Sequence, residues 1–107
     1  MTLATINHTI SVLNNMLNDN WDLWETTTQA KRKNFDLMMD YKGNDDMVIL
    51  LDLARTENAR LEIAILSLNA SRKKLIKELE SMNNFQSAAL VSFQKENQDL
   101  RNLKASL

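Results

Sequence analysis

Residues 47–82, MVILLDLARTENARLEIAILSLNASRKKLIKELESM, decide the fold. Alternating steps of four and three from Met47 reach Leu51, Ala54, Asn58, Leu61, Ile65, Leu68, Arg72, Leu75, Leu79 and Met82. Nine of these eleven positions are apolar, so one face of a long helix is a continuous apolar seam. At a rise of about 1.5 Å per residue the stretch spans roughly 54 Å, longer than a small globule is wide. Such a helix needs another helix, or another protein, along its length.

The composition around it agrees. The 107 residues contain one glycine, Gly43, and no proline. Average usage would give about a dozen of the two together, so nearly every helix breaker and tight-turn former has been removed. An all-α fold follows, and β-rich and α/β folds are excluded. Thirteen basic and 14 acidic residues leave a net charge of −1, which gives no single-sign field for nucleic acid or an anionic membrane. No cysteine is present, which removes disulfides, thiolate catalysis and thiolate metal sites. Met1 to Ile10 lacks the basic and apolar regions of a signal peptide, and the longest apolar run, Met47 to Leu51, is far short of a membrane span of ~20 residues. A cytoplasmic protein is expected.

Working outward, Leu3, Ile6, Ile10, Leu13 and Leu17 form a narrow apolar stripe that predicts a first helix over residues 2–18. Asn18-Asp19-Asn20 interrupts the stripe, and Asp19 or Asn20 can cap a second helix over residues 20–41. That helix directs Trp21, Trp24, Ala30, Phe35, Leu37, Met38 and Tyr41 toward its neighbours. Lys42-Gly43-Asn44 ends it, with Gly43 as the left-handed residue and Asn44, Asp45 or Asp46 as the next cap. The third helix covers residues 45–82. Ser81-Met82-Asn83-Asn84 reads as a break before a fourth helix over residues 85–105, although the seam keeps its phase through Gln86, Ala89, Phe93, Glu96, Leu100, Leu103 and Leu107. A single helix from about 45 to 105 is the competing reading. Short connectors make long helices antiparallel neighbours, so the expected architecture is an antiparallel helical hairpin or bundle of three to four helices in one domain, with one long third helix.

The sequence nominates no catalytic chemistry. His8, the sole histidine, lies on the polar side of the first helix, and no HExxH, glycine-rich phosphate loop, EF-hand loop or GxSxG occurs. Asp45 and Asp46 read as helix caps rather than a calcium site. No cofactor, metal or enzymatic activity is expected. Lys31-Arg32-Lys33 and Arg72-Lys73-Lys74 sit among acids and read as solvated faces, available as rim contacts to an acidic protein. The polar seam residues Asn58, Arg72 and Gln86 recur every 14 residues, either as layers that fix register or as levels where the seam meets solvent. Leu50, Leu53, Ile63, Leu66 and Ile76 fall outside the seam, an apolar surplus that suits a partner surface.

Asp19-Asn20-Trp21-Asp22-Leu23, Leu50-Leu51-Asp52, Arg72 with Leu75, Ile76 and Leu79, and the aromatic Phe93 resemble the FliT-type flagellar export chaperones. The match covers roughly residues 10–93. It departs where Trp24 stands in place of the Leu of Trp-Asp-x-Leu, and where Phe93 replaces Tyr. The resemblance implies a protein that binds the C-terminal region of the filament-cap protein FliD, delivers it to the export ATPase and acts on a flagellar transcriptional regulator. Partner-binding residues would be Trp24, Phe35, Met38, Leu50, Leu53, Leu61, Ile65, Leu68 and Arg72. Phe93, Leu100 and Leu103 would fold back as a cover over the third-helix seam. The alternative is a structural coiled-coil subunit that oligomerises through the residue 47–107 seam. A homodimer is compatible with both.

Overall fold

The structure, a computed structural model, describes residues 2–107. It contains two helices, not three or four. Helix α1 runs over Leu3–Tyr41 and helix α2 over Val48–Ser106, joined by a turn and a single 3-10 turn at Asp45–Met47. Among the described residues there is no strand, and no helix is long and apolar enough to cross a membrane.

The expected break at Asn18-Asp19-Asn20 does not occur. These residues are only tenths of a kcal/mol worse than good helix formers, whereas burying a large apolar side chain is worth about 1.5–3 kcal/mol. Seam continuity therefore outweighs local propensity. Counted in steps of three and four, the stripe of Leu3 to Leu17 continues through Asn20, Trp24, Thr27, Lys31, Asn34, Met38 and Tyr41, and every one of these is buried or partly covered. Asn20 is a seam residue and not a cap. The expected break at 82–85 is absent for the same reason. Met82, Gln86 and Ala89 remain partly covered, and α2 passes through Asn83 and Asn84 without interruption. The predicted helices 2–18 and 20–41 are thus one helix, and so are 45–82 and 85–105.

The link between the helices follows the sequence reading. Gly43 has φ +81°, in the left-handed region where a Cβ is strained. The Lys42 amide donates to the Met38 carbonyl at 3.1 Å and the Asn44 amide to the Tyr41 carbonyl at 3.3 Å, closing the end of α1. The Asn44 side chain then accepts from the Asp46 amide at 3.0 Å and caps the entry to α2.

The chain divides into two compact units. One runs from Leu17 to Lys74 and is a helical hairpin; the other joins the start of α1 to α2 from Leu75 onward. In the hairpin, Asn34 bonds to the Ala54 carbonyl, Lys31 pairs with Glu62, and Asn20 meets Leu68 and Arg72. Rising numbers on one helix meet falling numbers on the other, so the pairing is antiparallel. Ala54 and Leu61 are its buried apolar residues. In the other unit, Ile6 and Leu13 are buried, and Gln86 Nε2 donates to Asn7 Oδ1 at 2.6 Å.

Replacing Gly43 with Val should cost about 1 kcal/mol or more, because a side chain there must hold a left-handed backbone. Asn84→Pro should cost about 3 kcal/mol by removing a mid-helix bond, whereas a proline in a genuine break would be nearly neutral. Urea unfolding monitored by circular dichroism measures both.

Candidate partner-binding surfaces

Three features stand out: a polar and aromatic cluster around Arg72, a set of exposed apolar residues on the hairpin, and the end of α2.

The first grows from Asn20, only 6% exposed on α1. Its amide nitrogen donates to the Leu68 carbonyl at 3.0 Å, and its Oδ1 accepts from Arg72 Nε at 2.9 Å. Both ends of the buried amide are thus satisfied, as burial requires. Arg72 Nη1 donates to Asn69 Oδ1 at 3.3 Å. Its guanidinium carbon lies 3.6 Å from the centre of the Trp21 ring and 5.4 Å from that of Trp24. The two indoles meet edge to face at 5.6 Å and 82°. An aromatic face attracts a cation, and guanidinium is weakly hydrated, so Arg72 rests here with little desolvation cost. Its Nη2 is buried without a hydrogen-bond partner among the described residues, and the ring faces supply what that nitrogen lacks. The cluster joins the Asp19-Asn20-Trp21-Asp22 segment to the segment that opens at Arg72.

The polar residues seen every 14 positions on α2 meet polar residues on α1. Arg72 bonds Asn20, and Gln86 bonds Asn7. Asn58 is partly covered at the level of Asn34, whose side chain bonds one turn away, to the Ala54 carbonyl at 2.7 Å. Lys31, a seam residue of α1, is drawn to Glu62 beside Leu61. The Arg72 level is a register layer; the Gln86 bond to Asn7 is exposed, and Asn58 Oδ1 is buried without a hydrogen-bond partner among the described residues. Asn7, Asn20, Lys31 and Asn34 were missed in the sequence because they are polar. Extending the three-and-four count along α1 would have placed the last three opposite the seam of α2.

The second feature is apolar. Ile49, Leu50, Leu53, Ile63 and Leu66 on α2 are exposed, Leu53 at 62%, as are Leu23, Phe35, Leu37 and Met39 on α1. Of the residues predicted to bind a partner, Phe35, Leu50 and Leu53 lie in this exposed set. Leu61 is buried in the hairpin seam, and Trp24, Met38, Ile65, Leu68 and Arg72 are partly covered there. The chain itself fills the groove those six line.

The third feature is α2 beyond Ala89, where every residue is open to solvent. Phe93, Leu100 and Leu103 are exposed on this continuation of α2 and do not fold back over residues 47–82. A shallow open groove is lined there by Glu96, Asp99, Leu100 and Leu103.

Titratable groups show little convergence. Arg60 hydrogen-bonds Glu57, with Nε donating to Oε2 at 2.9 Å, and holds that carboxyl below the usual glutamate range on an exposed helix face. No group of three His, Cys, Asp or Glu side chains converges among the described residues. No known protein family, curated protein or solved structure matches the chain.

Arg72→Leu should destabilise the hairpin by about 2 kcal/mol, since it strands the Asn20 carbonyl and removes a bond to a charged group. The pair Asn20→Leu with Arg72→Leu should recover most of that loss, giving a coupling of about 1–2 kcal/mol in a double-mutant cycle. Denaturant midpoints of the four proteins measure it, with Trp fluorescence as the probe of the cluster.

Proposed function

We propose that this chain is a helical chaperone of protein export, of the kind its FliT-type motifs suggest, which binds a client by covering apolar helix surface and catalyses no reaction. The observation that carries the reading is the set of exposed apolar residues on the hairpin. Leu50, Leu53, Ile63 and Leu66 lie off the seam and present large apolar side chains to water. An exposed set of this kind is the usual mark of a protein-binding face. The convergence of Asn20, Trp21, Trp24 and Arg72 also supports it, because two separate segments of the resemblance meet in one cluster.

On this reading the client is the C-terminal region of a flagellar filament-cap protein, presented as an amphipathic helix. It lies along the outer side of α2 over Leu53, Ile63 and Leu66. The exposed basic residues Arg32, Lys33, Lys73 and Lys74 steer an acidic client without adding much affinity. Escort to the export ATPase in the cytoplasm, and contact with a flagellar transcriptional regulator, belong to the same proposal. A second reading, a structural coiled-coil subunit, is favoured by one observation: the seam of α2 continues past the last residue that α1 covers.

Titration calorimetry of the full chain with a filament-cap C-terminal peptide separates the two. The chaperone reading expects saturable binding that weakens at least tenfold in Leu53→Asp with Ile63→Asp. Both side chains are exposed, so the fold should survive, as circular dichroism would confirm. No heat with any cap-protein peptide would leave the structural subunit as the better account.

A further inference from the structure

We propose that the open end of α2 is a pairing surface for a second copy of this chain, which lies on it antiparallel, α2 against α2. The inference stands on the seam and is independent of the client reading.

The seam keeps one phase through Gln86, Ala89, Phe93, Glu96, Leu100 and Leu103. Gln86 and Ala89 are partly covered, and Gln86 bonds Asn7 of α1. By the same antiparallel count Leu3, the first residue of α1, stands at the level of Ala89. Beyond that level the seam lacks a facing helix: Phe93 is 56%, Leu100 62% and Leu103 59% exposed. The surface is therefore a continuation of an interface the chain already builds, in the same phase and with the same kind of side chains. An antiparallel helix is what that interface accepts.

A second α2 supplies one. In an antiparallel coil, alternate seam positions face one another, as they do between α1 and α2. Among the registers the heptad allows, one sets Phe93 across from Leu103 and Glu96 across from Leu100, twice over, around a two-fold axis near Gln98. This isologous arrangement fills the groove lined by Glu96, Asp99, Leu100 and Leu103. In this register the second α2, which ends at Ser106, stops at the level of Leu90, next to the start of α1. A parallel pairing would stack Glu96 on Glu96 within the seam and bring two copies of α1 to the same level, forcing the helices apart.

The arrangement carries an internal handicap. Glu96 and Asp99 of both copies gather near the two-fold axis, while Lys104 lies farther out, beside Phe93 of the second copy. Like charges at this spacing oppose association. Removing the seam acid should thus strengthen the pair.

Equilibrium ultracentrifugation of the full chain tests the proposal. A reversible dimer is expected, abolished by Leu100→Asp with unchanged helicity and tightened at least tenfold by Glu96→Leu. Orientation is read from spin-label distances, using the absence of native cysteine. Asn97→Cys should give a short inter-chain distance. Leu90→Cys should give one longer by an axial offset of about 21 Å at 1.5 Å per residue. A chain that stays monomeric at all concentrations, a dimer indifferent to Leu100→Asp, or short distances at both labels would overturn it. Monomers that capture a different helical protein on Leu100 and Leu103 would equally overturn it.

Discussion

The bond between Asn20 and Arg72 does for this chain what its apolar residues cannot. Leu, Ile and Met layers are nearly interchangeable under a slide of one heptad, so an apolar seam alone leaves the register of two helices loosely specified. The polar levels remove that freedom. A slide of one heptad would put Arg72 against Thr27 and Asn34 against Ile65, leaving buried polar groups unpaired at about 1–3 kcal/mol each. In the observed register Asn20 uses both ends of its amide and Arg72 rests on Trp21 and Trp24. Gln86 also bonds Asn7 across the two helices, but at the surface, where mispairing costs little. Polar residues in the seam thus lower the ceiling on stability and select one pairing.

That device explains what could and could not be read in advance. On α2 the seam is mostly apolar and its phase is visible by counting. On α1 the same phase runs through Asn20, Thr27, Lys31 and Asn34, which a hydrophobic pattern passes over. Asn20 in particular looks like a helix cap because a short polar run precedes an aromatic, and only the facing Arg72 shows it to be a layer. The turn was legible because its constraint is local: Gly43 alone tolerates the backbone there without strain. The breaks expected at 18–20 and 82–85 were misjudged because propensity is local and worth tenths of a kcal/mol, while the seam that overrides it is a property of two helices. The same limit applies to the site. Leu61, Ile65 and Leu68 could be recognised as apolar and aligned, but whether the chain or a partner covers them depends on a helix whose own seam was hidden.

A two-helix interface also sets what is left over. Each helix can turn only one row of side chains toward the other, and among the described residues no large side chain is fully enclosed. With 44% hydrophobic residues, the chain holds more apolar surface than one seam can use. The surplus falls in two places that differ in kind. The end of α2 repeats the seam in strict phase and carries one acid within it, the pattern of a surface that meets a helix in a fixed register. Ile49, Leu50, Leu53, Ile63 and Leu66 lack that regular phase and are unmatched by polar levels. A contact there would be selected by shape and burial rather than by register, and could accept a helix that slides or varies in sequence. Pairing with a defined copy suits the first surface, and holding an unfolded client suits the second. Because neither set supports the hairpin, substitutions in them should separate binding from folding more cleanly than any change within the seam.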